Sequence, residues 1–136
     1  MKERDIQQWL KTLESPESSA EERTKAIESL AGHPDVDSIR HLVLVLEDDD
    51  GRNREMAASV LAHLGDAAVV PVLETLRAHP SNTRLRESAC MILSHNLSQD
   101  VRRRSVALVA LLPLPNMEPA LLAQIARLLR LFETLT

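Results

Sequence analysis

The side chains in this sequence with chemistry to offer are five histidines, one cysteine and a group of arginines concentrated late in the chain. Adjacent His-Glu pairs on successive helices could hold a pair of metal ions. None of His33, His41, His63, His79 or His95 is followed by Glu. His63 and His95 hold equivalent positions in two similar segments. Stacked helices stand roughly 8–10 Å apart, however, and no third ligand accompanies the pair. No metal, cofactor or catalytic residue is therefore expected, and the chain reads as a non-enzyme. Cys90 aligns with Ile27 and Ala58 in the neighbouring segments, so it is expected to be a small buried hydrophobe.

The arginines raise phosphate binding. Arg84, Arg86, Arg102, Arg103, Arg104, Arg127 and Arg130 make a basic C-terminal half. Residues 1–75 carry 16 acidic and 8 basic side chains, a net −8, whereas 76–136 carry 4 and 8, a net +4. Against nucleic acid stand the overall charge of −4, the absence of lysine after Lys25, and two aromatics in all, Trp9 and Phe132. Base stacking and flipping have little to work with.

The elements that position these residues repeat. Asp50–Leu61, DGRNREMAASVL, reduces to a capping residue, an Arg four later, an Ala three further on and a Leu four beyond that. The same pattern stands at Ser19, Arg23, Ala26, Leu30 and at Asn82, Arg86, Ala89, Leu93. The arginines are 31 and 32 residues apart, a period typical of helical arrays whose units bury their apolar faces against one another. The composition agrees. Hydrophobic residues make up 44% and glycines number three, with Leu, Ala, Glu and Arg abundant, so helix formers dominate.

Eight helices follow. The first, 3–14, carries a narrow stripe of Ile6, Trp9, Leu10 and Leu13. Ser19 and Glu22 have capping-box spacing and open a helix to about Ala31, closed by Gly32 and Pro34. Asp35 caps a helix to about Leu46. Its HLVLVL run alternates like a strand, but a lone strand would have no partner in a helical array. Asp50 opens a helix that closes at Gly65, Asp66 caps another over 67–78, and Asn82 starts one running to His95. Ser98, Gln99 and Asp100 start the next, which reaches Leu112. It holds a fourth copy of the pattern (Asp100, Arg104, Ala107, Leu111) at an irregular spacing of 18 residues, read as accidental. The last helix, 117–135, places Leu121, Leu122, Ile125, Leu128, Leu129, Phe132 and Leu135 on one face, wide enough to cover the pair before it.

The segment RNREMAASVLAHLGDAAVVPVLETL resembles HEAT repeats, specifically the short repeats of the phycobilisome lyase type. The matching residues are Asp50, Arg54, Ala57, Ala58, Leu61, Leu64, Gly65, Asp66, Pro71, Leu73 and Leu76. The likeness is good over 50–78, fair over 19–46, and thins over 82–112, where the Gly-Asp turn and the Pro are missing. The resemblance implies an all-α fold, a short right-handed α-solenoid of seven to eight helices with capping helices at both ends. The chain would then be one domain, 1–136, with repeats at about 19–47, 50–78 and 82–112. It also implies protein–protein interaction. A chromophore-handling role is disfavoured because no convincing thiol or acid pair is present.

A small protein-binding adaptor is thus the favoured function, with nucleic-acid binding and an oligomeric structural unit as alternatives. Exposed positions on the second helices would make the contacts: Arg40 and His41, then Glu74 and Arg77, then Arg102 and Arg103. The acidic turn Glu47–Asp50 offers a further site for a basic partner. A single cysteine and the lack of a secretory leader suggest the cytoplasm. No apolar run reaches the ~18 residues needed to span a membrane. The capped ends favour a monomer over a homodimer.

Overall fold

The computed structural model describes residues 3–33 and 35–133. Pro34 and Leu135 lie outside them. The described residues form α-helices and short 3₁₀ turns with no strand, so HLVLVL is helical. The helices are α1 (Glu3–Glu14), α2 (Ala20–Leu30), α3 (Val36–Leu44), α4 (Gly51–His63), α5 (Val69–Ala78), α6 (Thr83–Ser94), α7 (Gln99–Arg104), α8 (Val106–Leu111) and α9 (Glu118–Glu133).

Side-chain caps start most of them. The Ser19 hydroxyl accepts from the Glu22 amide at 3.1 Å while the Glu22 carboxylate accepts from the Ser19 amide at 3.0 Å, a complete capping box. Asp35, Asp50 and Asn82 accept from the amides of Ser38, Asn53 and Leu85 at 2.8, 3.0 and 3.0 Å. Gly65 follows the end of α4 with φ +64, the left-handed conformation that costs glycine nothing. Asp66 does not cap α5 as expected. It lies in a 3₁₀ turn, Gly65–Ala68, from which α5 begins without a side-chain cap.

Helices α2, α4 and α6 stack in one row, and α3 and α5 stack in a second. Ala26, Ala57 and Ala89 are fully buried where the helices approach, with Leu30, Leu61 and Leu93 one turn on, so the repeated Ala-Leu pattern is the seam of the array. Helix α1 covers the first end by packing on α2 and α3.

The other end departs from expectation. The predicted helix over 99–112 is broken at Ser105 into α7 and α8, which raises the count among the described residues from eight to nine. Just before the break, the Arg104 carbonyl accepts a hydrogen bond from Arg127 of α9 at 3.1 Å. Helix α9 packs on α5 and α8, so it is α9, not α7–α8, that lies beside α5 in the second row. Ser81, in the turn after α5, hydrogen-bonds Glu118 at the start of α9. The last helix therefore runs back along α5 in the opposite direction. Its Leu121, Ile125, Leu128, Leu129 and Phe132 are buried, a wider apolar face than Val101, Leu108 and Leu112 give α7–α8. Leu122, assigned to the same stripe, is exposed.

Candidate interaction surface

The repeated arginines sit where the helices change direction. Arg23 donates to the Ser18 carbonyl at 2.5 Å and pairs at 3.3 Å with Asp48 in the turn before the next repeat. Arg54 donates to the Asp48 and Asp49 carbonyls at 2.6 and 3.1 Å. Arg86 reaches further, to the carbonyls of Leu111, Leu112 and Leu114 at 3.3, 2.9 and 2.7 Å. The fourth member is Arg102, which lies four residues after the cap Ser98 and donates to the Asn96 and Leu97 carbonyls. Arg104 instead pairs with Asp100 one turn away at 2.9 Å. The apparent copy at Asp100–Leu111 is thus two residues out of phase with the structural one.

These contacts reach into the acidic turn, where Asp49 alone of the four stays exposed. Glu47 accepts from Asn82 at 3.0 Å and stands 3.3 Å from His79; Asp48 pairs with Arg23; Asp49 pairs with Arg84 at 3.1 Å; Asp50 caps α4. Four acidic side chains in a row are tolerated because each faces a different donor. A buried Asn53, which sequence reasoning passed over, completes the join. It donates to the Ala20 carbonyl at 3.1 Å and accepts from Thr24 at 2.6 Å, tying α4 to α2.

The predicted contact residues divide. Arg40, His41 and Glu74 line one groove of about 610 Å³ between α3 and α5, together with Val36, Leu44, Val70 and Pro71. Val36 is 64% and Leu44 57% exposed. Leu44 falls off the buried stripe of Ile39, Leu42, Val43 and Leu46, and that offset was the available sequence signal for it. Arg40 and Glu74 are exposed, and neither forms an ion pair with any described residue. His41 is less free than expected. Its ring contacts the Asp37 carbonyl at 2.7 Å and the Glu14 carboxylate at 2.5 Å, pinning α3 to the end of α1.

The remaining three lie elsewhere. Arg77 is exposed but does not line the groove. Arg102 holds backbone carbonyls, and Arg103 pairs with Asp100 at 2.9 Å. The two guanidinium groups hold the Asp100 carboxyl below its usual range, Arg104 more than Arg103. The Glu22 carboxyl is lowered too, first by the Ser19 backbone amide and then by the Ser19 hydroxyl.

A second cavity of about 480 Å³ lies between α6 and the 112–115 segment. Cys90 borders it and is half-buried, so it is not the enclosed core residue that alignment with Ile27 and Ala58 suggested. No group of three or more metal-ligating side chains occurs among the described residues. No described helix is long and apolar enough to cross a membrane.

A profile of HEAT repeats matches residues 6–94. The chain belongs to the HEAT-repeat family. The match is to HEAT repeats as a class and does not single out the phycobilisome lyase type. It ends at Ser94, the last residue of α6, so α7, α8 and the reversed α9 lie beyond the matched array. HEAT repeats are generally non-catalytic scaffolds for protein interaction. No curated protein and no solved structure matches the chain.

Proposed function

We propose that this HEAT-repeat chain is a small, non-enzymatic adaptor that binds a protein partner along the groove between α3 and α5. The observation that carries the reading is the coincidence of exposed Val36 and Leu44 with the unpaired charges of Arg40 and Glu74. Exposed apolar surface rimmed by polar groups is the usual form of a protein-docking site. A cytoplasmic setting fits the single cysteine, which has no partner for a disulfide within the chain.

The nucleic-acid alternative is weakened by the arginines' other engagements. Arg84, Arg86, Arg102, Arg103, Arg104 and Arg127 hold carboxylates, an amide oxygen or backbone carbonyls within the fold, and Arg130 is not free. The test is capture from lysate with wild-type protein and a Leu44→Asp variant, followed by mass spectrometry. One protein retained by wild type and lost by the variant supports the proposal. Equal retention by both moves the docking face elsewhere.

A further inference from the structure

The groove's wall chemistry goes further than its existence and describes what enters it. Val36, Arg40 and Leu44 follow one another at four-residue steps along α3, so they form one stripe, apolar–cationic–apolar. Val70 and Glu74 are likewise one turn apart on α5, with Pro71 beside them. One wall thus offers a single positive charge between two exposed apolar side chains, and the other a single negative charge beside half-buried Val70 and Pro71. The Glu14 carboxylate at the groove's end is already held by His41.

The molecule contains an example of what its second row of helices accepts. On the other flank of α5 lies α9, an amphipathic helix seated between α5 and α8. It is held by an apolar face at i, i+4 and i+7 (Leu121, Ile125, Leu128) and by polar contacts at its flanks, Glu118 to Ser81 and Arg127 to the Arg104 carbonyl. The described residues offer no sheet edge on which an extended strand could add. Helices α3, α6 and α9 all pack on α5, so the described segments that cover it are helical.

Resting on the docking proposal above, we infer that the occupant of the α3–α5 groove is an amphipathic α-helix of the partner. Its apolar face lies over Val36, Leu44 and Val70, an acidic side chain on it meets Arg40, and a basic one meets Glu74. The apolar contacts supply affinity. The two charges set orientation, because a helix entering the other way round would bring like charges together.

The experiment pans a display library of short helical peptides, randomised on one face, against the full chain, with Leu44→Asp and the double reversal Arg40→Glu/Glu74→Arg in parallel. All three substituted residues are exposed, and circular dichroism checks that helicity is kept. The expected result is enrichment of peptides with leucine-like residues at i, i+4 and one acid and one base on the flanks. Leu44→Asp abolishes the enrichment, and the double reversal prefers peptides with acid and base exchanged by roughly fivefold, the scale of exposed ion pairs. Peptides enriched without a charge preference, or enriched in non-helical form, overturn this inference while leaving the docking groove in place. Failure to enrich any peptide also overturns it, and the lysate capture then judges the groove separately. Enrichment untouched by Leu44→Asp overturns the groove itself.

Discussion

Arg23 Nε stands 3.3 Å from Asp48 Oδ1, and their side chains are only 18% and 16% exposed. The pair joins the first helix of one repeat to the turn that precedes the first helix of the next. Removing one partner leaves a largely buried charge. Arg23→Ala or Asp48→Ala should cost about 1–3 kcal/mol, discounted from the fully buried case because some water reaches the pair. The double variant should cost clearly less than the sum of the two. Additive losses in urea titrations would show two independent side chains.

Leu61 is fully buried at the seam between α4 and its neighbours. Leu61→Ala should cost about 2–5 kcal/mol. Glu74→Ala, on the groove rim, should cost under about 0.5. Urea midpoints for the two should differ widely, and comparable losses would mean the faces of the helices are misassigned.

Acid should weaken the helix ends in a defined direction. The Glu22 and Asp100 carboxyls are both held below their usual ranges, by Ser19 and by Arg104 with Arg103 respectively. A carboxylate lowered in the folded state stabilises above its unfolded value and loses that contribution as pH falls through the folded one. Glu22→Gln and Asp100→Asn should therefore differ from wild type in stability at neutral pH. The difference should shrink as both carboxyls protonate in acid. A difference independent of pH from 7 down to acid unfolding would count against the two contacts.

Nucleic acid should bind poorly. With most of its arginines held by carboxylates and backbone carbonyls, the C-terminal half should give no gel shift with DNA or RNA that weakens steeply with salt. A shift lost in an Arg102/Arg103/Arg104 triple Ala variant, with helicity retained, would restore that alternative.

The protein should be a monomer, since the apolar face of α9 is largely buried on its own chain. Light scattering at tens of micromolar should give a mass near 15.2 kDa. Twice that, reverting on Leu122→Glu, would place a self-association surface on the outer side of α9.

Much of this was legible in the residues. The Ala26, Ala57, Ala89 and Leu30, Leu61, Leu93 sets are local patterns, and a period near 31 projects them into a row without knowledge of the rest. Caps such as Ser19, Asp50 and Asn82 are equally local. What escaped depended on contacts across the stack. Nothing near Ser105 announces a break, because Arg127 approaches from a helix that begins later in the chain. Nothing about Glu47–Asp50 marks it as a meeting point, because its donors come from residues 23 to 84. Of the contact residues, Arg40, His41 and Glu74 converge because α3 and α5 are successive second helices. Arg102 and Arg103 do not join them, because α9 and not α7–α8 follows α5. Leu44 was visible only as an apolar residue outside its own helix's buried stripe.

The turn at Glu47–Asp50 has a consequence for how the chain comes apart. Solenoids ordinarily melt like a linear lattice, each unit coupled only to its neighbours, so that ends fray before middles. Here one four-residue segment receives bonds from α2, from α4, from the turn before α6 and from α6 itself. Loosening any one of the three repeats strips partners from the same turn. Amides in α2, α4 and α6 should therefore exchange hydrogen with nearly one opening free energy, a single cooperative unit where the array alone would give three graded ones.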